Sequence, residues 1–147
     1  MRAAEHRERA AQAQVTGRAA PGWDVSAGYT QLTSLKHPDG TPANTYVPRR
    51  TLQLATTYRL PVLPALKVGG TLRWQEDIYT VDDNAAIVRQ PAYAVVGLMA
   101  SYDIAPHWSA SVNVNNVTDD KHYASLYWTQ AYYAPPRQVT ATLRWTY

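Results

Sequence analysis

The sequence predicts an all-β chain, an antiparallel meander of about six strands forming part of the wall of a transmembrane β-barrel. Three observations carry that prediction. From Gly22 onward apolar and polar residues alternate with a period of two, the strand period. The polar parity is mostly Ser, Thr, Asn, Gln and Gly, where the water-facing side of a soluble sheet is rich in Lys and Glu. Short and long connections then alternate strictly along the chain.

The first twenty residues stand apart. Ala3 to Gln14 is dominated by Ala, Arg, Glu and Gln, all good helix formers, and predicts a helical or irregular segment over 1–20. The stretch QAQVTG also fits the tail of a preceding strand entering a turn. Strands are expected in WDVSAGYTQ, TLQLATTY, LKVGGTLRW, YAVVGLMASY, HWSASVNVNNV and QVTATLRWTY. In the last of these Val139, Ala141, Leu143, Trp145 and Tyr147 oppose Thr140, Thr142, Arg144 and Thr146. Apolar rows of Val, Leu and Ala ending in Trp or Tyr suit a lipid-facing side, and the polar rows suit a wet lumen.

The short links are GRAAPG, RLPVLPA and DIAPH, each with Pro or Gly. Long links run from about Ser34 to Pro48, Glu76 to Pro91 and Thr118 to Pro136. In a meander all the short turns fall at one end, as periplasmic turns do, and all the long loops at the other. Trp23, Tyr58, Tyr102, Trp108, Trp145 and Tyr147 then gather at the short-turn end as an arc of an interfacial aromatic girdle. Tyr29 and Trp74 fall toward the opposite rim.

Composition excludes several classes. The chain is 46% hydrophobic, too apolar for a disordered segment, yet it has no apolar run long enough for a membrane-spanning helix. With no cysteine, disulfides, thiol nucleophiles and Cys-zinc sites are ruled out. Eleven Tyr and five Trp beside no Phe favour half-wet surfaces. A net charge of +3, without a basic stripe interleaved with aromatics, argues against nucleic acid. The N-terminus MRAAEHRERAAQAQ is not a secretory signal peptide. No phosphate loop, nucleophile elbow or HExxH occurs, and no enzyme is expected.

Six stretches resemble TonB-dependent outer-membrane receptors, in particular ferric-siderophore receptors of the coprogen and pyoverdine type. They are APGWDVSAGYT, NTYVPRRTLQLATTYRL, VGGTLRWQ, YAVVGLMASYDI, SASVNVNNVTDDKHY and YYAPPRQVTATLRWTY, in family order. The resemblance implies a barrel of about 22 strands plugged by an N-terminal domain. Residues 21–147 would be its C-terminal strands and 1–20 a possible remnant of the strand before them. It implies a place in the bacterial outer membrane and ferric siderophore as substrate, with iron as cargo and no cofactor. The implied partners are TonB through the plug, outer-membrane lipid and the barrel assembly machinery. Such a piece would not transport alone. A truncated remnant without activity and a soluble β-sandwich binding module are the alternatives.

Candidate ligand contacts lie in the loop KHYASLYWTQAYYAPPR: Tyr123, Tyr127, Trp128, Tyr132, Tyr133 and Arg137. Their rings and guanidinium suit an amphipathic anionic complex through stacking and charge-assisted hydrogen bonds. Packing of the same rings on one another is the simpler expectation. Arg73 and Arg144 sit on the lumen parity, where they would touch the plug or be solvated wall charges. Glu76, Asp77, Asp82 and Asp83 lack calcium-loop spacing, and His6, His37, His107 and His122 lack metal-ligand spacing, so no metal site is expected.

Overall fold

The computed structural model describes residues 10–33, 40–41, 43–81, 85–127 and 130–147. Strands occupy Ala10–Ala20 (β1), Trp23–Leu32 (β2), Arg50–Arg59 (β3), Leu66–Gln75 (β4), Ile78–Val81 (β5) and Ile87–Gln90 (β6). They continue with Tyr93–Ala105 (β7), Trp108–Asn115 (β8), Tyr123–Tyr127 (β9), Gln130–Tyr133 (β10) and Gln138–Trp145 (β11). Seven of them form one antiparallel sheet in the order β1-β2-β3-β4-β7-β8-β11. β5 with β6 and β9 with β10 make two small hairpins inside the long connections.

Of the two N-terminal expectations, the helical or irregular one is corrected over Ala10–Ala20 and the preceding strand is the one that forms. From Ala10 to Ala20 the chain is a strand, paired with β2 from Ala10 opposite Leu32 to Ala20 opposite Trp23. Helix propensity is a weak prior, and here cross-strand pairing overrides it. Gln12, Gln14, Thr16 and Arg18 face the same side as Thr30, Gly28, Ser26 and Asp24, while Ala11, Ala13, Val15 and Gly17 share the other. Two cross-strand contacts fix the register: Thr16 Oγ1 lies 3.1 Å from Ser26 Oγ, and Arg18 pairs with Asp24 at 3.2 Å. Residues 1–9 lie outside the described residues.

The remaining six strands fall where the period of two puts them, and their register sorts the faces. One row across the sheet runs Ala27, Leu54, Leu72, Val96, and the row beside it on the other face runs Gly28, Gln53, Arg73, Val95. Four of the strands, at 10 or 11 residues, match the 9–11 that a tilted strand needs to cross hydrocarbon, and the other three, at 8 to 13, bracket it. No second sheet covers the apolar face among the described residues, so the sandwich alternative does not form. Leu54, Leu98, Val112, Val139 and Leu143 remain exposed on that face.

Turns close the short-link end. Gly22 takes φ 76° and its carbonyl accepts from Arg59 N–H at 2.8 Å. A Cβ there would meet Arg59 O at 3.3 Å, so the turn suits glycine on both counts. In the 60–65 turn Leu60 N–H donates to Leu66 O and Leu66 N–H to Leu63 O. His107 and Thr146 are tied by Thr146 N–H to His107 O at 2.9 Å and by a ring-nitrogen contact to Thr146 O at the same distance.

Candidate functional site

At the long-loop end the two small hairpins pack into a cap over the sheet rim. Ile78 of β5 and Leu126 of β9 are buried, and with Ala43 they are the buried apolar side chains among the described residues. Three buried polar side chains join them, and each has partners. Gln90 Oε1 accepts from Tyr123 N–H at 2.8 Å while its Nε2 donates to Pro91 O at 3.0 Å. Asn116 bonds Asp120 twice, through Nδ2 to the carbonyl and Oδ1 to the N–H, both at 2.9 Å. His122 Nδ1 lies 3.3 Å from Asp120 O, and its ring stacks on Tyr93 at 4.0 Å.

The local sequence explains the turn. In NNVTDDKH both Asn116 (φ 53°) and Asp119 (φ 55°) adopt left-handed backbone, which Asn and Asp tolerate better than most residues. Asp119 N–H donates to Asn116 O, and Asp119 Oδ1 accepts from Arg137 N–H at 2.8 Å. Ala134 N–H reaches His122 O at 2.9 Å. Both ends of the connection between β8 and β11 are thereby pinned.

Of the expected ligand contacts, Tyr123 and Tyr133 come together. Their rings stack at 4.6 Å with hydroxyls 3.3 Å apart. That hydrogen bond raises the Tyr123 phenol above the ordinary tyrosine range, with the nearby Tyr133 charge and slight desolvation adding to it. Tyr132 and Tyr133 are exposed. Arg137 is exposed at the foot of β11, its backbone held by Asp119. Tyr127 pairs with Gln130 at the tip of the hairpin, and Trp128 lies outside the described residues. In the β5–β6 hairpin Asp77 is held by Arg89 at 2.8 Å, while Asp82 and Asp83 lie outside the described residues.

At the opposite end the apolar face gathers the six aromatics expected there. Trp23 lies opposite Tyr58 and Trp145 opposite Trp108, with Tyr102 beside Leu66 and Ala110. Trp23 meets Tyr58 edge-on at 6.4 Å, and Trp145 meets Tyr147 at 5.5 Å. Trp23 Nε1–H donates to Thr56 Oγ1 at 2.8 Å, whose own hydroxyl donates to Asp24 O at 3.2 Å. A hydroxyl on the apolar face is thus satisfied within the protein.

The polar face is concave. A hollow of about 870 Å³ is lined by amides and hydroxyls from both sheet edges, Gln12 and Gln14 on β1 and Gln138 on β11 included. Arg73 lines it; Arg144 lies lower on that face, opposite Ser109. Tyr93, His122 and Asn116 also line it; sequence reasoning weighed His122 only as a metal ligand and did not single out the other two. One signal was available: Tyr93, opposite Gln75, is an aromatic on the polar parity.

A family described as "TonB dependent receptor-like, beta-barrel" matches residues 10–117. The ferripyoverdine receptor of Pseudomonas aeruginosa is 38% identical over 143 residues, covering 92% of this chain and 17% of the relative. The ferric-pyoverdine BN7/BN8 receptor of Pseudomonas putida is 36% identical, covering 91% and 16%. The crystal structure of the Pseudomonas aeruginosa receptor bound to ferripyoverdine superposes with TM-score 0.86 at 37% identity, over 94% of this chain and 19% of that one. The ferric-catecholate import receptor Fiu of Escherichia coli K12, at 21% identity and TM-score 0.78 over 94% and 21%, shares the fold. The chain therefore spans about a sixth of the length of the curated relatives it matches.

Proposed function

The chain belongs to the β-barrel family of TonB-dependent receptors, and from that premise we propose that it supplies seven neighbouring wall strands of an outer-membrane receptor for ferric siderophores. The observation that carries this reading is the 38% identity to a ferripyoverdine receptor along 92% of the chain, the long-loop cap included. No bond of the substrate is made or broken. The chain's part is to cross the membrane, to keep a wet inner wall, and to present aromatic side chains where an external ligand arrives.

In this reading the apolar face meets lipid, and Trp23, Tyr58, Tyr102, Trp108, Trp145 and Tyr147 hold the inner interface. The stacked pair Tyr123–Tyr133, together with Tyr132 and Arg137, forms one flank of the ligand approach. Seven strands leave β1 and β11 as open edges, and unpaired backbone is costly in hydrocarbon. Transport accordingly requires the remaining strands, and the plug through which TonB acts.

A chimera tests the reading. Residues 10–147 replace the matching strands of the Pseudomonas aeruginosa ferripyoverdine receptor in a strain lacking that receptor. The chimera is expected to assemble, bind ferripyoverdine and restore iron uptake. Tyr123→Ala with Tyr133→Ala should weaken binding roughly tenfold, the scale of two lost aromatic contacts. A correctly assembled chimera that binds no ferripyoverdine would sink the proposal.

A further inference from the structure

We propose that Tyr123 and Tyr133 form a site of oxidative cross-linking, at which a peroxide oxidant joins the two phenols by a carbon–carbon bond and staples the β9–β10 hairpin. The proposal goes beyond the receptor reading above and does not depend on it.

Register is the first argument. Pairing along the hairpin runs Gln130 with Tyr127, Ala131 with Leu126 and Tyr132 with Ser125, then skips a residue so that Tyr133 meets Tyr123. Without that bulge Tyr133 would stand opposite Ala124. Bulges re-aim side chains, and this one aligns two phenols. The backbone is tied on both sides of the pair. Tyr123 N–H donates to Gln90 Oε1 at 2.8 Å, and Ala134 N–H donates to His122 O at 2.9 Å. Both rings therefore spring from anchored backbone, which raises their effective concentration toward one another.

Contact is the second argument. The ring centroids are 4.6 Å apart with planes 28° from parallel, and the hydroxyls lie 3.3 Å apart. That separation is at the close end of the range for aromatic pairs. The ring contacts Trp23–Tyr58, Trp145–Tyr147 and Tyr93–His122 each hold a single phenol, and so cannot give a biphenol.

The chemistry balances with one named oxidant. Each phenol gives up one electron and one proton, leaving a phenoxyl radical whose unpaired electron is shared with the carbons ortho to the oxygen. The rings turn about their Cβ–Cγ bonds, and one such carbon of each joins the other. The hydrogens on the joined carbons then move to the oxygens, which restores both phenols. One molecule of hydrogen peroxide takes up the two electrons and two protons and leaves as two waters.

Composition gives the link a use. The chain has no cysteine, so no disulfide can staple this hairpin, while it has 11 tyrosines. β9 and β10 are only 5 and 4 residues long and pair only with each other in their sheet. A two-stranded hairpin is marginally stable by itself, and a bond across its ladder holds it closed.

The test uses the assembled chimera, whose complete wall decides whether oxidant reaches the pair, with hydrogen peroxide and a haem peroxidase. Trypsin and then chymotrypsin cut the chain between Tyr123 and Tyr133. Mass spectrometry then reads whether the two peptides stay joined, two hydrogens lighter than their sum. The joined species is expected from the parent chimera and from Tyr132→Phe, and should be lost in Tyr123→Phe and in Tyr133→Phe. Amide hydrogens of β9 and β10 should exchange more slowly after the reaction than before it. Oxidation of other tyrosines with no joined species overturns the proposal. So does a joined species that persists in Tyr133→Phe, since coupling would then follow from general reactivity and not from this pair. A link that leaves exchange in the hairpin unchanged overturns the staple. Should Tyr133→Phe fail to assemble, Tyr123→Phe carries the same comparison. The link is measured without ligand, so a chimera that binds no ferripyoverdine removes the receptor reading and leaves this result distinct.

Discussion

The sheet and the cap are built for different solvents. In the sheet the large apolar side chains Leu54, Leu98, Val112 and Leu143 are left uncovered, and register alone keeps them on one face. In the cap Ile78, Leu126, Gln90, Asn116 and His122 are buried, and every buried polar group among the described residues has a partner. The cap is thus organised like the interior of a water-soluble domain, held by hydrophobic contact and satisfied hydrogen bonds. The sheet has no such interior among the described residues, and in the proposed receptor hydrocarbon outside takes the place of a core. The same substitution should therefore have different consequences in the two regions.

The largest expected effect compares two leucines in an assembled barrel. Leu126→Ala should destabilise the cap by about 2–5 kcal/mol, the range for truncating a buried leucine. Faster hydrogen exchange over β9 and β10, with the sheet still protected, would register it. Leu98→Ala on the uncovered apolar face leaves no internal cavity and should leave cap exchange unchanged. Equal loosening of the cap by both variants would mean that the two regions are not separate.

Next comes the sidedness of the sheet. Leu98→Arg places a charge on the apolar face and should cost about 2–4 kcal/mol near the bilayer midplane. Ser111→Arg, on the opposite face beside Ser101 and Thr142, should be tolerated. Unfolding in urea from lipid vesicles measures both. A reversed order would turn the barrel wall inside out.

The same contrast accounts for what could be read in the sequence. Six of the sheet strands were legible because an apolar face and a polar face impose a period of two directly on residues such as Leu52 to Tyr58. The first strand was legible only as an alternative over QAQVTG, because its apolar row is Ala11, Ala13, Val15 and Gly17, whose composition resembles a helix. The alternation of Gln12, Gln14, Thr16 and Arg18 was nevertheless present. The cap was legible only in part. Its aromatics were visible as a cluster, and the pairing of Tyr123 with Tyr133 realises the simpler of the two expectations for those rings. The burial of Gln90, Asn116 and His122 was not visible, because polar residues become interior only through partners distant in sequence. Gln90 is buried because it accepts from Tyr123, thirty-three positions away.

The smallest effect concerns that tyrosine pair, which belongs to the cap but lies at its wet surface. Hydrogen bonding to Tyr133 favours the neutral Tyr123 phenol, so its folded-state pKa lies above the unfolded value. The sign follows: the contact contributes fully below the ordinary tyrosine pKa and is lost as pH rises through the raised one. Tyr133→Phe removes the partner hydroxyl and should bring the Tyr123 midpoint down toward the ordinary range. Carbon-13 ring resonances of labelled tyrosine, assigned with Tyr123→Phe, would follow it. Because Tyr123 is solvent-facing, the shift should be modest, and global unfolding should not move with it. Were the cap to melt together with this ionisation, the stacked pair would have to be a structural element of the cap. Its availability as a ligand-facing surface, and the division between a packed cap interior and a wet rim, would then both fail.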